Sequence, residues 1–280
     1  MYQPIHHSRI RLSQGHLFWR ESGQGTCLVF LHGLTQNSGQ WISIVDEISS
    51  DYHCFMIDLP GCGESEPLLG HPSIQAITEM LAEYFAALKV EQFYLVGHSV
   101  GGWIAANYAL NHQDQVRGLI LLSPEGVSTP DLKKHWQWMR SLTQSPSLSC
   151  WFLKLIRPFA GLFKKHEQID YWLQLRQKIL TQSRGNHQLL FKRRWAEYQA
   201  ELLNQRLSEL NIPVLVLQDV QEGAIAMAQS ETYAKLISKA SLDAIKPEYN
   251  LIHPSNETFG FEVSERVIQS IQAFTTQRNF

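Results

Sequence analysis

The chain is poor in cysteine, and its cysteines form no recognisable pattern. The 280 residues include only Cys27, Cys54, Cys62 and Cys150, with no C-x-x-C pair and no spacing typical of metal ligands. A disulfide-rich secreted fold and a structural zinc site are therefore not expected, and scattered thiols favour a reducing compartment. We accordingly predict a cytoplasmic protein that carries no metal ion.

Long apolar runs and a strong excess of one charge are also absent. The sequence has no apolar run of the roughly 18 residues that a membrane-spanning helix needs, and its N-terminus lacks the cationic start and apolar stretch of a signal peptide. The formal net charge is only −2, which gives no general attraction to nucleic acid. The sequence predicts a protein that is soluble, or peripheral at a membrane, and that does not bind nucleic acid.

Short apolar runs alternate with segments of helical period. The runs lie at residues 27–31, 54–57, 93–96, 119–122 and 214–217, and the helical segments at 73–88, 101–110, 226–237 and 263–274. Runs of this kind are typical of strands buried on both faces of a parallel sheet. Strand and helix in alternation predict an α/β fold with a doubly wound sheet, opened by a hairpin within residues 8–20.

Residues 125–210 depart from this alternation. The stretch has no strand pattern, holds five of the eight tryptophans, and carries 14 Lys and Arg against 7 Asp and Glu, a net of +7. The rest of the chain carries 10 basic and 19 acidic residues, a net of −9. We therefore predict a core formed by residues 1–124 and 211–280, interrupted by a basic helical insertion at 125–210.

The sharpest motif is G-H-S-V-G-G at positions 97–102, directly after one apolar run and before a helical segment. A G-x-S-x-G sequence at a strand-to-helix junction is a nucleophile elbow, a strained turn that raises the serine hydroxyl above the sheet edge. The following helix directs its partial positive charge toward a developing oxyanion. These features predict Ser99 as a nucleophile.

Two further motifs accompany the elbow: L-H-G-L at positions 31–34 and D-L-P-G-C-G-E-S at positions 58–65. With them the whole chain resembles the α/β-hydrolase superfamily, particularly its esterase, lipase and epoxide-hydrolase-like branch. The resemblance implies that residues 125–210 form a cap over the active site, and that the N–H groups of Leu34 and Val100 form the oxyanion hole. It also implies that Asp58 shapes a turn and is not a catalytic acid.

A serine nucleophile needs a base and a carboxylate that orients the base. The family pattern after the strand at 214–217 places Glu222 at the acid position, with Asp219 as an alternative. Glu125, which follows the strand at 119–122, occupies the acid position of some other branches. A fourth possibility is that all three are solvated loop carboxylates.

The family's histidine position does not hold histidine in this chain. Depending on the alignment it falls on Glu257 or Asn250, and the only histidine after position 187 is His253, at the end of an expected strand at 249–252. We expect His253 to be the general base if a rearranged loop brings it to Ser99, since geometry and not chain order defines a triad. The alternative is an incomplete triad.

The insertion contains an apolar stripe at helical spacing. Its members are Leu148, Trp151, Phe152, Leu155, Phe159, Leu162 and Phe163, flanked by Lys154, Arg157, Lys164 and Lys165, with a kink or break expected at Pro158. One interpretation is a cap helix that packs this stripe on the core. The other is a surface that inserts into an anionic membrane.

Two hypotheses for the function follow from these features. The first is a serine hydrolase that cleaves an ester of a lipophilic small molecule, because the roof of the site is expected to be apolar and aromatic. The second is a catalytically impaired protein of the same fold that binds a hydrophobic ligand or a protein partner. Neither hypothesis requires a cofactor.

Overall fold

The computed structural model describes residues 3–160, 166–219, 223–245 and 261–276. Eight strands form one sheet in the order β1-β2-β4-β3-β5-β6-β7-β8. The strands are β1 (His6–Leu12), β2 (Gly15–Ser22), β3 (Thr26–Leu31), β4 (Tyr52–Ile57), β5 (Phe93–His98), β6 (Val116–Leu122), β7 (Val214–Asp219) and β8 (Ala240–Ile245). β2 pairs antiparallel with β1 and β4, whereas the pairs from β4 through β8 are parallel. The predicted mostly parallel sheet is confirmed, and each of the five apolar runs lies within one strand.

Helices cover both faces of the sheet. They are α1 (Ile42–Ile48), α2 (Ile74–Leu88), α3 (Val100–Asn111), α4 (Leu132–Thr143), α5 (Leu148–Ala160), α6 (His166–Gln182), α7 (Arg184–Phe191), α8 (Trp195–Ala200), α9 (Ala224–Leu236) and α10 (Phe261–Thr276). The four predicted helical segments match α2, α3, α9 and α10 within three residues at each end. The strand expected at 249–252 lies outside the described residues.

The central strands feed two apolar cores, one on each face. In β3, Leu28 and Phe30 join the core formed with α1 and α10, while Val29 and Leu31 join the core formed with α2 and α3. Burial of each such side chain stabilises the fold by about 1.5–3 kcal/mol. This covering of both faces explains why the central strands appear in the sequence as continuous apolar runs and not as alternating ones.

The helices α4 to α8 lie between β6 and β7 in the chain, and no strand occurs among the described residues of that stretch. We call α4 to α8 the cap. Its first helix turns Trp136, Met139 and Leu142 into the same apolar core as α2 and α3. The boundaries predicted for the insertion, 125 and 210, remain a prediction.

Of the kink or break expected at Pro158, the break is wrong, because α5 continues through this residue to Ala160; the kink remains a prediction. Proline removes one backbone donor, and here it does so within the last turn of the helix.

The first four residues of the apolar stripe, which lie on α5, face solvent and not the core. Leu148, Trp151, Phe152 and Leu155 are 81%, 64%, 55% and 53% exposed. The inward face of α5 instead carries Cys150 and Leu153, which are buried in the main core. The interpretation that the stripe packs on the core is therefore wrong for these four residues. Leu162, Phe163 and the side chain of Phe159 lie outside the described residues, and no helix in the described ranges is long and apolar enough to cross a bilayer.

Candidate active site

Ser99 occupies a strained turn between β5 and α3. Its φ of 52° and ψ of −118° lie in a region that side-chain-bearing residues rarely adopt. The turn is held by hydrogen bonds from Ser99 N to Leu122 O, 2.9 Å, and from Gly102 N to Ser99 O, 3.0 Å. The expected nucleophile elbow is therefore present in its backbone geometry.

Gly101 explains why the elbow needs glycine on its helical side. A Cβ at this position would lie 2.5 Å from the carbonyl oxygens of both Leu31 and His32. Only a residue without a side chain lets the first turn of α3 approach the end of β3 so closely. The N-terminus of α3 is thereby placed beside the loop that follows β3.

That loop consists of Gly33 and Leu34, and we call it the oxyanion loop after the role that the resemblance implies for it. Gly33 N donates to Gln40 Oε1 at 3.0 Å, and Gln40 Nε2 lies 3.0 Å from His98 Nδ1. His98, within the elbow, thus supports the loop through Gln40. Within the described residues, the N–H groups of Leu34 and Val100 donate to no protein acceptor.

His32 also holds the loop. Its Nε2 accepts a hydrogen bond from Leu59 N at 3.0 Å, so Nδ1 carries the proton and donates to Gly33 O at 2.9 Å. Burial lowers the pKa of His32, which keeps the imidazole neutral in this role.

Asp58 is buried and bonds to backbone. Its carboxylate accepts hydrogen bonds from Ser38 N at 2.6 Å and from Glu64 N at 2.8 Å. These contacts match the turn-forming role that the resemblance implied for it.

Glu125 is in direct contact with Ser99. Ser99 Oγ donates to Glu125 Oε1 at 2.6 Å, a length typical of a strong bond to a carboxylate. The backbone fixes this geometry, because Glu125 N donates to Ser99 O at 3.1 Å and Tyr233 Oη donates to Glu125 O at 2.7 Å. Burial, and secondarily the charge of Glu125, raises the pKa values of Tyr198 and Tyr233, so both phenols stay protonated.

The side chains of the remaining acid and base candidates lie outside the described residues. Asp219 is the last residue of β7, and its side chain lies outside the described residues. Glu222 and His253 lie outside them entirely, as do Asn250 and Glu257. Of the three carboxylates considered from the sequence, the structure brings Glu125 to Ser99.

A cavity of about 540 Å³ opens above Ser99 and Glu125, a size typical of small-molecule sites. Its roof is supplied by the apolar and aromatic residues of the cap, among them Trp136, Met139, Trp172, Leu175, Phe191 and Tyr198. Three polar side chains that sequence reasoning missed lie in or beside the site: His135 and Gln229 line the cavity, and Tyr233 binds the Glu125 backbone. No motif marks them, because tertiary packing alone places them in or beside the site.

The part of the chain that the structure describes contains no group of three or more His, Cys, Asp or Glu side chains placed to bind a metal ion. The four cysteines are free, and burial raises the pKa of Cys62 to about 12. Such a thiol is protonated and unreactive at neutral pH.

Comparison with known proteins agrees with the fold. The family model described as alpha/beta hydrolase fold matches residues 26–145. A pimeloyl-[acyl-carrier protein] methyl ester esterase from Yersinia enterocolitica is 36% identical over 123 residues, which cover 44% of this chain and 44% of that protein. The chain therefore spans less than half the length of the curated relatives it matches.

Two solved structures match nearly the whole chain. A thermophilic esterase from Thermogutta terrifontis has a TM-score of 0.71 and 21% identity, covering 98% of this chain and all of that one. An enol-lactonase from Burkholderia xenovorans LB400 has a TM-score of 0.72 and 17% identity, covering 96% of this chain and all of that one. At sequence identities this low, the similarity to these two structures shows a shared fold and nothing more.

Proposed function

The chain has the α/β-hydrolase fold, and we propose that it hydrolyses carboxylic esters through Ser99. The observation that carries the proposal is a strained serine whose Oγ donates to the Glu125 carboxylate, 2.6 Å away, at the floor of an apolar cavity. A structural serine would not need a backbone conformation this costly, and such strain concentrates at functional sites.

In the proposed reaction the Ser99 oxygen forms a bond to the carbonyl carbon of the substrate. The N–H groups of Leu34 and Val100 bind the oxygen that becomes negative, assisted by the N-terminus of α3. Collapse of the tetrahedral intermediate breaks the bond to the alcohol, which leaves with the proton taken from Ser99. Water then attacks the acyl-enzyme, which releases the acid and restores the serine.

Glu125 is the carboxylate of this proposed site. Two roles are open to it: it accepts the Ser99 proton itself, or it stabilises the imidazolium of His253 after that histidine takes the proton. His253 remains the histidine base predicted from the sequence. Glu222 and Asp219 remain the other predicted acids, since their side chains lie outside the described residues.

The proposed substrate is an ester with a lipophilic acyl group. The cavity roof is aromatic and aliphatic, and apolar surface of this kind favours an alkyl chain over a sugar or a nucleotide. The methyl ester of a carrier-bound acyl chain, the substrate in the name of the Yersinia relative, has this chemistry at its reacting end. We propose that this protein acts on the same class of ester.

Labelling with a fluorophosphonate tests the nucleophile. We expect wild-type protein to be labelled and Ser99→Ala to be unlabelled, with hydrolysis of p-nitrophenyl esters rising from acetate to hexanoate. Absence of labelling in folded wild-type protein, under conditions that label a control esterase, would contradict the proposal. It would support the alternative that the cavity only binds a hydrophobic ligand.

A second part of the proposal concerns the solvent-facing stripe of α5. Leu148, Trp151, Phe152 and Leu155 form one exposed apolar face at i, i+3, i+4 and i+7, and Lys154 lies on the same helix. The insertion carries a net of +7, against −9 in the rest of the chain. An anionic membrane matches both features, because aromatic rings enter the headgroup region and each basic residue near the surface contributes about 1 kcal/mol.

Liposome sedimentation tests this surface. We expect wild-type protein to bind vesicles of phosphatidylcholine with anionic lipid, less so as salt rises, and the double variant Trp151→Ala/Phe152→Ala to lose most of that binding. Leu69→Ala is a matched control, because Leu69 is 79% exposed but lies in the core part of the chain. Wild-type protein that stays in the supernatant at low salt would overturn the membrane assignment and leave the esterase proposal intact.

A further inference from the structure

The start of α7 packs tightly against the core. Gly185 N donates to Gly61 O at 2.9 Å, and a Cβ on Gly185 would overlap the carbonyl oxygen of Pro60. Only glycine permits this approach. The close contact fixes the start of α7 relative to the core, and therefore fixes the next residue, Asn186.

Asn186 reaches from the cap to the oxyanion loop. Its side chain is buried, at 1% exposure, and Nδ2 donates to Leu34 O at 3.0 Å and to Gly33 O at 3.4 Å. Two carbonyl oxygens face the same amide group, which assigns the nitrogen and not the oxygen to this side of the asparagine. Among the described cap residues, Asn186 is the one that bonds to Gly33 and Leu34.

The hydrogen bond from Asn186 to Gly33 O affects the orientation of the Leu34 N–H, the proposed oxyanion donor, because the peptide group is planar. Gly33 C=O and Leu34 N–H belong to one planar unit and point in opposite directions. Donors that hold Gly33 O on one side therefore direct Leu34 N–H to the other. His32 Nδ1 and Gln36 N hold the same oxygen at 2.9 and 3.3 Å, but both belong to the segment that follows β3, whereas Asn186 belongs to the cap.

We infer that Asn186 is a positioning residue that sets the orientation of the Leu34 N–H, so that the oxyanion hole is fully formed only when α7 is docked on the core. This inference rests on the proposed function of Ser99. It assigns the cap a role in catalysis in addition to covering the cavity. A substrate in its ground state places little charge on the carbonyl oxygen, so the contribution of Asn186 belongs to the transition state.

The test compares Asn186→Ala with Asn107→Ala. Asn107 is also buried and also donates one side-chain hydrogen bond, to Thr78 Oγ1 at 2.9 Å, but it lies in α3 away from the oxyanion loop. Loss of a whole oxyanion donor costs about 100- to 1,000-fold in kcat. For a donor that is misoriented but still present, we expect Asn186→Ala to lower kcat/KM by roughly 10-fold, with Asn107→Ala close to wild type.

A pair of inhibitors separates positioning from simple destabilisation. A trifluoromethyl ketone adds to Ser99 and forms an oxyanion, whereas its methyl ketone counterpart binds largely as the uncharged ketone. Asn186→Ala should weaken the first by the same factor as kcat/KM and leave the second unchanged. Equal weakening of both, or an effect no larger than that of Asn107→Ala, would overturn the inference.

Two controls keep the outcomes distinct. Asn186→Leu retains a side chain of similar size but removes the donor, and it carries the same expectation if the alanine variant does not fold. Ser99→Ala is measured in parallel. If Ser99→Ala keeps wild-type turnover, the proposed function fails. If it abolishes turnover while Asn186 variants behave as wild type, only the positioning role fails.

Discussion

The core around Ser99 and the outer face of α5 use apolar residues in opposite ways. Leu28, Phe30 and Val96 are fully buried in the sheet, whereas Trp151 and Phe152 on α5 are more than half exposed. In the core, the apolar residues of β5 and β6 are all buried, on one face of the sheet or the other. On α5, apolar residues occur on both sides of one helix, and only one side can face the protein. An apolar pattern in this chain therefore indicates burial in the central strands, but it does not indicate burial on the outer face of α5.

The largest effect that we expect follows from breaking the contact between Ser99 and Glu125 at the elbow. We expect Glu125→Gln to lower kcat/KM by about 100- to 10,000-fold, because an amide cannot take up the Ser99 proton or stabilise an imidazolium. The measurement is the pH dependence of kcat/KM for wild-type protein, Glu125→Gln and His253→Ala.

The shape of the pH profile identifies the base. If Glu125 takes the proton, His253→Ala retains the activity and the pH profile of wild-type protein. If His253 takes it, both variants are impaired and the rise of activity with pH is lost in His253→Ala. Unchanged turnover in Glu125→Gln would show that its contact with Ser99 is only structural.

The next test probes how closely the core is packed. Gly101→Ala places a Cβ 2.5 Å from two carbonyl oxygens, so α3 must move away from β3. We expect a loss of roughly 1–3 kcal/mol in the free energy of unfolding, measured by urea denaturation, together with a loss of activity because the elbow shifts.

Gly223→Ala is the matched control. A Cβ added at Gly223 would meet no neighbour within 4 Å, and the residue has a φ of −60° that alanine adopts without strain. Equal destabilisation by the two substitutions would contradict the close-approach argument.

Most of the fold can be predicted from the sequence, because its main features depend on residues that are neighbours in the chain. The parallel sheet, the elbow and the loop after β3 each depend on short contiguous motifs whose geometry is local, such as the glycine at position 101. The sequence does not single out Glu125 as the partner of Ser99, because Glu125 reaches it through the packing of β6 against β5. The outward orientation of α5 and the reach of Asn186 also depend on tertiary packing, which no local pattern encodes.

A third prediction concerns the buried inner side of the cap. Burial, with Lys192 and Arg176 nearby, lowers the pKa of His187 to about 4, while an unfolded histidine titrates near 6.5. Between these values the unfolded chain binds a proton that the folded chain does not, so the stabilising contribution of neutral His187 falls as pH falls from 6.5 toward 4. The expected loss is roughly 1 kcal/mol after allowance for partial solvent screening.

The measurement compares wild-type protein with His187→Gln, which cannot be protonated. Urea midpoints at pH 7 and pH 4.5 should differ more for wild-type protein than for the variant, since other groups titrate equally in both. If the urea midpoints of wild-type protein and His187→Gln change equally with pH, the loss of stability does not come from His187.

We expect the smallest effect on the free energy of unfolding from truncations on the outer face of α5. These truncations test directly whether that face differs from the buried core. Trp151 and Phe152 are 64% and 55% exposed, whereas the adjacent Leu153 is 6% exposed. Truncation of an exposed side chain usually changes the free energy of unfolding by no more than about 0.5 kcal/mol, whereas truncation of a buried leucine costs about 2–5 kcal/mol. Trp151→Ala and Phe152→Ala should therefore leave the urea midpoint near that of wild-type protein, and Leu153→Ala should lower it clearly. If Trp151→Ala destabilises as much as Leu153→Ala, the stripe packs against protein in solution, and the membrane surface proposed for it would lose its basis.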